Sequence, residues 1–486
     1  MKIKNILSIT LLTLSLGVST SSCNDFLDVH PSGEKVEGDL FDSKKGFEEA
    51  IYGVYGSLAA GSLYGMNLLW GLTDVMAQDL SCNSTTMTAL SKYDYENQYV
   101  RDAFTGVWTG AYNTIGYANN VIKNLNQTEL SLRYHDVYMG EMLAVRALLH
   151  FEMLRLFAST DPAATGIPYV ETWDFSVKPF LTVGQASAKI EADLLEAERL
   201  LAPVDEPLMT YPRNDNQYEA FMNWRETHMN VWAVRALLAR LYFYTGDKAK
   251  AGEYASKVID SNVFPLADQT QMRSFIAGII SPKETIFGVY APKYLDTSKS
   301  YLYNFTSYQS YIPYDNVTGA TYLYPWQSVF NEDMTSTSQD ARTVWFNQSL
   351  TLTKLYKLVD FETIENNSVS KHPEISGVNV MRIAELYLIA AECYLDTNPD
   401  KALGYFNTQI TSRGLTPLSA ERGETLTLDR IYHEFHKELF GEGQQWFNMK
   451  RLNKDFKSNA ESRDIVGSDK IYVVPVPEGE FEYRPK

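Results

Sequence analysis

Cysteine is almost missing from this chain: three residues in 486, at positions 23, 82 and 393. Three cysteines cannot build the disulfide framework that staples small secreted domains, so a buried core must carry the stability. Cys393 sits inside an apolar helical pattern and reads as a small buried hydrophobe, and nothing in the sequence argues for a Cys82–Cys393 bridge. Basic charge is short as well, with 43 Lys and Arg against 60 Asp and Glu, a net charge of -17. A nucleic-acid binder needs a basic surface to displace counterions, and that class is excluded. Beyond the N-terminus no run reaches the roughly 18 apolar residues of a membrane helix. The fingerprints of phosphate-binding loops, dinucleotide sites and nucleophile elbows are absent. His433 and His436 stand three apart, where a zinc-protease helix needs four, and Asn214-Asp215-Asn216 with Glu219 lacks the Gly and closing Glu of a calcium loop. No metal, cofactor or catalytic residue is therefore expected. A glycoside hydrolase remains an open alternative, because its signature is a carboxylate separation that only a structure shows.

The N-terminus carries the one long apolar run. Lys2 and Lys4 precede Ile6 to Val18, small residues follow at 19–22, and then comes Cys23. This is an export signal over 1–22, too short and too one-sidedly flanked for a stable span. Its close resembles a bacterial lipoprotein signal, with Thr20 where Leu is preferred. That resemblance implies acylation of Cys23 as the first mature residue, and more than one acyl chain would hold the protein on a membrane.

Most of the remaining chain has helical rhythm. Ser43 could cap a helix through Phe47, Ile51 and Tyr55, and further helices are expected near 67–78, 104–124, 139–157, 185–201, 230–244 and 248–259. The stretch 81–91 reads as a Ser/Thr-rich loop. Met381–Asp396 is the best-patterned helix, apolar on more than one side and so packed on more than one side. The turn Thr397-Asn398-Pro399-Asp400 after it leads into a partner helix from Lys401 to Ile410, and Thr245-Gly246-Asp247 repeats the arrangement upstream. These hairpins resemble degenerate tetratricopeptide repeats, which bury their faces only by stacking; an ordinary helical bundle is the alternative. The expected fold is mainly α, with few short strands. Between 264 and 380 the pattern changes to a short strand, 284–290, and an irregular stretch whose aromatic density argues against disorder. Helix returns over 428–453, interrupted at 441–443, and 471–476 ends extended.

Scattered through the chain stand Cys23 with Asp25-Phe26-Leu27-Asp28; Trp108-Thr109-Gly110-Ala111-Tyr112 with Ala118-Asn119-Asn120; Arg146-Ala147-Leu148-Leu149-His150-Phe151; Asp340-Ala341-Arg342; Arg382 to Leu388; Glu438 to Gly443; and Pro475-Val476-Pro477. In their order and spacing these segments together resemble the SusD/RagB-like outer-membrane lipoproteins of Bacteroidetes. Phe435 and Gln445 depart from it, each standing where the family commonly has Arg. The resemblance implies a superhelix of four tetratricopeptide-like hairpins with an irregular region draped on it. It further implies a lipid-anchored, non-catalytic protein on the cell surface that captures an oligosaccharide or another nutrient. Its implied partner is a TonB-dependent, SusC-like transporter barrel. On this basis the chain divides into the signal (1–22), a tether and lead-in (23–42), an N-terminal helical region (43–263) and a C-terminal region (264–486). Peptide capture, or a helical-repeat scaffold binding proteins alone, stays open.

A sugar presents apolar C–H faces and a rim of hydroxyls, so its site needs flat aromatic rings and a few polar groups. The densest aromatic series is Tyr301, Tyr303, Tyr308, Tyr311, Tyr314, Tyr322, Tyr324 and Trp326, interleaved with Asn304, Gln309, Asp315 and Asn316. Tyr301, Tyr303, Tyr308, Tyr311 and Trp326 are taken as ligand candidates, although packing onto the helices would account for most such rings. Trp70 and Asp74 form a second candidate pair, near Asp79 and the loop 83–95. Trp108 and Trp446 are read as structural.

Overall fold

A computed structural model describes residues 40–482 and 484, apart from residues 83, 175, 213–218, 276–277, 282, 304–307, 311–329, 331–339, 347–354, 360–375, 459–460 and 462. In chain order the elements begin with α1 (Lys44–Leu58), a π-helical turn at Asn67–Gly71, α2 (Thr73–Met76), β1 (Leu80–Cys82) and α3 (Thr85–Leu90). Then come α4 (Gln98–Gln127), α5 (His135–Phe157), β2 (Thr165–Pro168), β3 (Phe180–Thr182), α6 (Val183–Leu208), α7 (Val231–Thr245) and α8 (Lys248–Asp260). The middle of the chain supplies β4 (Gly278–Ile279), β5 (Thr285–Tyr290), α9 (Tyr294–Ser298) and β6 (Tyr308–Ser310). The last part holds β7 (Ser376–Arg382), α10 (Ile383–Tyr394), α11 (Pro399–Ser412), α12 (Leu428–Leu439), α13 (Gln444–Arg451), β8 (Phe456–Lys457), β9 (Asp464–Ile465) and α14 (Asp469–Tyr472). The mainly α expectation holds. No helix among the described residues is long and apolar enough to cross a membrane.

The described residues up to Phe47 group as one unit and those from Glu48 on as another. In the first, Ser43 Oγ accepts from the Gly46 N–H at 3.2 Å, and Phe41 packs on Phe47 with ring centroids 4.9 Å apart.

In the second unit the helices pack as a series: α4 on α5, α5 on α6, α6 on α7, α7 on α8, α8 on α10 and α10 on α11. The local code for the hairpins is capping. Asn230 Oδ1 accepts from the Trp232 and Ala233 N–H groups at 2.9 and 3.0 Å, which starts α7. Gly246, at φ +90°, ends it in a left-handed turn, and Asp247 caps α8. Asn398 caps α11 with Pro399 in its first turn, so the two turns matched in the sequence do equivalent work. Helices inside the series are buried nearly all round: every residue of α7 from Val231 to Tyr244 is buried, as are Ile383–Cys393 of α10 except Tyr387.

Three local expectations are corrected. The segment 81–91 is not a loop: β1 pairs with β6, and Ser84 caps α3. The helix expected over 67–78 is a π-turn followed by a single turn of α-helix. In front of these, Gly443 at φ +71° stands so close that a Cβ would strike the Leu68 carbonyl oxygen. The final stretch contains α14 before it becomes extended at Val473. A fourth shift concerns the best-patterned helix, which starts at Ile383. Met381 and Arg382 close β7 instead, pairing with Phe287 and Thr285 of β5. Cys393 is a free, buried thiol.

Arg382 ends that strand because its side chain enters a buried ionic network. Its guanidinium meets Glu284, Glu438 and Glu442 at 2.8, 2.7 and 2.7 Å. Arg413 shares Glu284 and Glu438, both at 2.9 Å, and Lys357 reaches Glu442 at 2.7 Å. Arg342 pairs with Asp340 at 2.7 Å and Glu438 at 3.0 Å; Glu434 lies 2.6 Å from it, off the hydrogen-bond direction. Lys437, 3.8 Å from Glu434, makes the fifth cation against five carboxylates among the described residues, whose charges therefore balance. Neutrality is what permits so many charges in a core. The acid-to-base motifs around 340, 382 and 438 are therefore one three-dimensional object. At the two departures, Phe435 stacks on Phe243 (5.8 Å, 17°) and Gln445 donates to the Tyr432 hydroxyl at 2.9 Å.

Candidate functional site

A groove with a volume of about 790 Å³ opens between the second half of α1, the loop joining α6 to α7, and the end of β5 with α9. Its floor is made concave by small residues, Gly56, Ala59, Ala60 and Gly65. Three aromatic side chains stand at its sides with much of their surface in solvent: Tyr52 (45% exposed), Trp224 (45%) and Tyr290 (54%). Tyr55, His228 and Tyr294 complete the walls and are themselves buried. Exposed rings of this size beside a concavity carry information that scattered surface hydrophobes do not.

The Tyr52 ring packs against Phe221 and His228, with centroids 5.5 and 6.0 Å apart, and the backbone that carries Trp224 is fixed by the fold. Trp224 has a left-handed backbone, φ 54°, which a bulky residue adopts only where its surroundings impose it. Its carbonyl accepts from the Thr227 N–H at 2.8 Å and the Thr227 hydroxyl at 2.9 Å. The next residue, Arg225, anchors the loop: it donates to Asp205 at 2.9 and 3.1 Å and to Glu141 on α5. Glu141 also faces His228 Nδ1 at 3.0 Å and accepts from the Tyr55 hydroxyl at 2.7 Å, and the Met229 N–H donates to that hydroxyl at 2.8 Å. Burial alone would raise the Glu141 carboxyl, but His228 and Arg225 outweigh it and hold it down at about 2. A single buried carboxylate thus ties α1, α5 and the Trp224 loop together. Asn230 extends the tie to β5 by donating to the Ile286 carbonyl at 2.9 Å.

The sequence candidates fall in other places. Trp70 is fully buried, and its indole N–H donates to the Tyr294 hydroxyl at 2.8 Å. It buttresses a wall of the groove and, being fully buried, exposes no face at its surface. Asp74 is also in the core and accepts from the Gly443 N–H at 3.1 Å. Burial, then the nearby Asp79 carboxylate, push its carboxyl well above the ordinary range. Both positions are corrections: they are structural supports. Asp79 itself faces His436 Nε2 at 2.5 Å. Tyr301 is 40% exposed and lies 6.5 Å from the Trp70 ring, centroid to centroid. Tyr303 falls in a π-helical turn and Tyr308 in β6, opposite Cys82. Tyr311, Tyr314, Tyr322, Tyr324 and Trp326 lie outside the described residues, as does Cys23. Trp108 and Trp446 are buried, as a core role requires.

Asp74→Asn is a direct check on that reassignment. A group raised on folding adds stability below its unfolded value and loses it as pH rises through the folded value. At neutral pH the neutral amide is therefore expected to match or raise the thermal midpoint, with the Gly443 contact kept. A clear fall in the midpoint would show that the fold needs the charge.

Tyr52, Trp224 and Tyr290 were not singled out by the sequence pattern. The available signal was their position off the buried face. Tyr52 follows Ile51 on the other side of α1, Tyr290 is the exposed last residue of a buried strand, and Trp224 lies between helices. No spacing rule brings three such segments together.

Comparison with known proteins bears on the whole chain. A family profile described as "Starch-binding associating with outer membrane" matches residues 25–243, and one described as "SusD family" matches residues 294–477. A SusD superfamily protein from Bacteroides thetaiotaomicron is similar in structure, with a TM-score of 0.69 at 20% identity over 90% of this chain and 97% of that one. A protein from Bacteroides vulgatus described as a putative sugar binding protein has a TM-score of 0.68 at 19% identity, covering 90% and 96%. A SusD-like carbohydrate binding protein from the same species gives 0.66 at 18% identity, covering 92% and 96%. At these identities the likeness establishes the fold. No protein of curated function matches the chain. With two family profiles that together match most of its length and that shared helical architecture, the chain belongs to the SusD/RagB-like family.

Proposed function

We propose that this protein is a non-catalytic, cell-surface binding protein that captures glycans in the groove walled by Tyr52, Trp224 and Tyr290. The observation that carries the reading is the convergence of three solvent-facing rings, Tyr52, Trp224 and Tyr290, on one concavity. Tyr and Trp lose little entropy when a sugar stacks on them, because they have few rotamers to freeze. Tyr301, and the aromatic segment up to Trp326, extend the same chemistry along the chain. The two relatives described as sugar or carbohydrate binding support the ligand class. Calorimetry against a broad polysaccharide panel is the test. Binding of at least one glycan without release of reducing sugar is expected. Retention of none by folded protein would count against the reading, and sustained sugar release would favour a hydrolase.

Anchoring and delivery belong to the same proposal. Acylated Cys23 would hold the protein on the outer membrane, in line with the outer-membrane association named in the family description. The captured glycan would pass to a TonB-dependent, SusC-like transporter barrel. Cys23→Ser is expected to move the protein from the membrane fraction to the soluble fraction, as seen by immunoblotting, and to end its co-purification with a barrel partner. Unchanged membrane retention would rule out the thioether anchor.

A further inference from the structure

We infer that the groove favours a glycan with a negative substituent, a carboxylate or a sulfate ester, over a neutral one; this rests on the groove being the glycan site. The chain is strongly acidic, at -17, yet no Asp or Glu is among the described residues that line the groove. Its one fully charged lining residue is Lys293, on the turn from β5 into α9. Lys293 is exposed, and its side chain forms no ion pair among the described residues; the Asp296 N–H, one turn on, donates to the Lys293 carbonyl at 3.2 Å. Of the acids beside the walls, Glu226, between Trp224 and Thr227 in sequence, is buried, and Asp296, between Tyr294 and Thr297, is exposed, and neither is among the lining residues. Glu141 is enclosed behind Tyr55 with Arg225 and His228, and Glu48, at the Tyr52 end, accepts from the Tyr138 hydroxyl at 2.7 Å. An anionic sugar thus meets a local positive charge on an otherwise negative molecule, and no lining carboxylate repels it. The indole N–H of Trp224 and the hydroxyls of Tyr52 and Tyr290 add donors, which suit an anionic acceptor. Stacking is indifferent to the substituent, since the rings meet the C–H faces of either kind of sugar.

The test is calorimetry on the full chain at low ionic strength, where a partly exposed charge pair is least screened. Oligogalacturonate is compared with its carboxyl-reduced form, and a sulfated galactan oligosaccharide with its desulfated form. The expected result is a preference of about five-fold for the anionic member of at least one pair, the upper range for one exposed ion pair. The pair that shows it identifies the substituent. Lys293→Met is expected to abolish that preference. No preference in either pair, or a preference that survives Lys293→Met, overturns the inference. Gly56→Phe separates this failure from the larger one. If it blocks glycans that show no charge preference, only the inference falls; if it leaves all glycan binding intact, the groove is not the site and both readings fall.

Discussion

Arg382→Ala is expected to cost about 3–5 kcal/mol of folding stability, the range for removing one partner from a buried ion pair. Total stabilities of about 5–15 kcal/mol make that a large fraction, enough to stop accumulation of folded protein at 37 °C. The reason is the company the guanidinium keeps. Without it, Glu284, Glu438 and Glu442 keep their burial and lose the cation they share, while Arg413 and Lys357 compensate only in part. A urea midpoint equal to that of the unaltered chain would show that the network does not stabilise the fold.

The same network sets the acid limit. Burial opposes ionisation of Glu438, but Arg413, Arg382 and Arg342 overcome it and hold its carboxyl well below the ordinary range. Glu442 is lowered in the same way by Arg382 and Lys357, and Glu141 lies at about 2. For a carboxyl lowered on folding, the unfolded chain binds more protons, so stability rises with pH across the interval between the two values. Stability from these groups is complete above about pH 4.5, the ordinary Glu value, and is lost as pH falls through the folded values. A denaturation midpoint that does not move between neutral pH and pH 3 would contradict this.

Trp224→Ala should act on binding and spare the fold. Its ring is half in solvent, and the Arg225 anchor beside it is untouched. Loss of a central aromatic contact costs about 2 kcal/mol, or roughly thirty-fold in affinity. Gly56→Phe should remove binding by filling the groove. A Cβ at Gly56 meets nothing within 4 Å, and a helical glycine is a poor helix former, so the variant is expected to be at least as stable as the parent. Calorimetry against the best glycan of the panel, with thermal melts as control, reads both. Unchanged affinity in the two variants would move the site away from the groove, toward the aromatic segment that ends at Trp326.

The two residues with the clearest chemical appearance in the sequence, Trp70 and Asp74, turned out to be supports. A Trp and an Asp four apart look the same in one dimension whether they face a ligand or a core. Trp70 became a buttress because Tyr294, 224 positions away, supplies the hydroxyl that takes its indole proton. Asp74 became buried because the 441–443 turn folds its N–H groups onto it. The exposed rings of the groove show the converse. Trp224 sits next to an arginine whose anchors, Asp205 and Glu141, come from two other helices.

Read alone, the sequence determined the helical class, most helix positions, the capped hairpin turns and the absence of a disulfide framework, because periodicity and capping act within about a dozen residues. It also marked the acid-to-base motifs, though not that they share one site. Only the tertiary structure decided that, among the described residues, five cations and five carboxylates meet in one core, that Arg382 ends a strand, and which of the described aromatic rings remain in water. Those outcomes depend on contacts between residues tens to hundreds of positions apart. There burial and charge compensation, rather than local pattern, set the free energy.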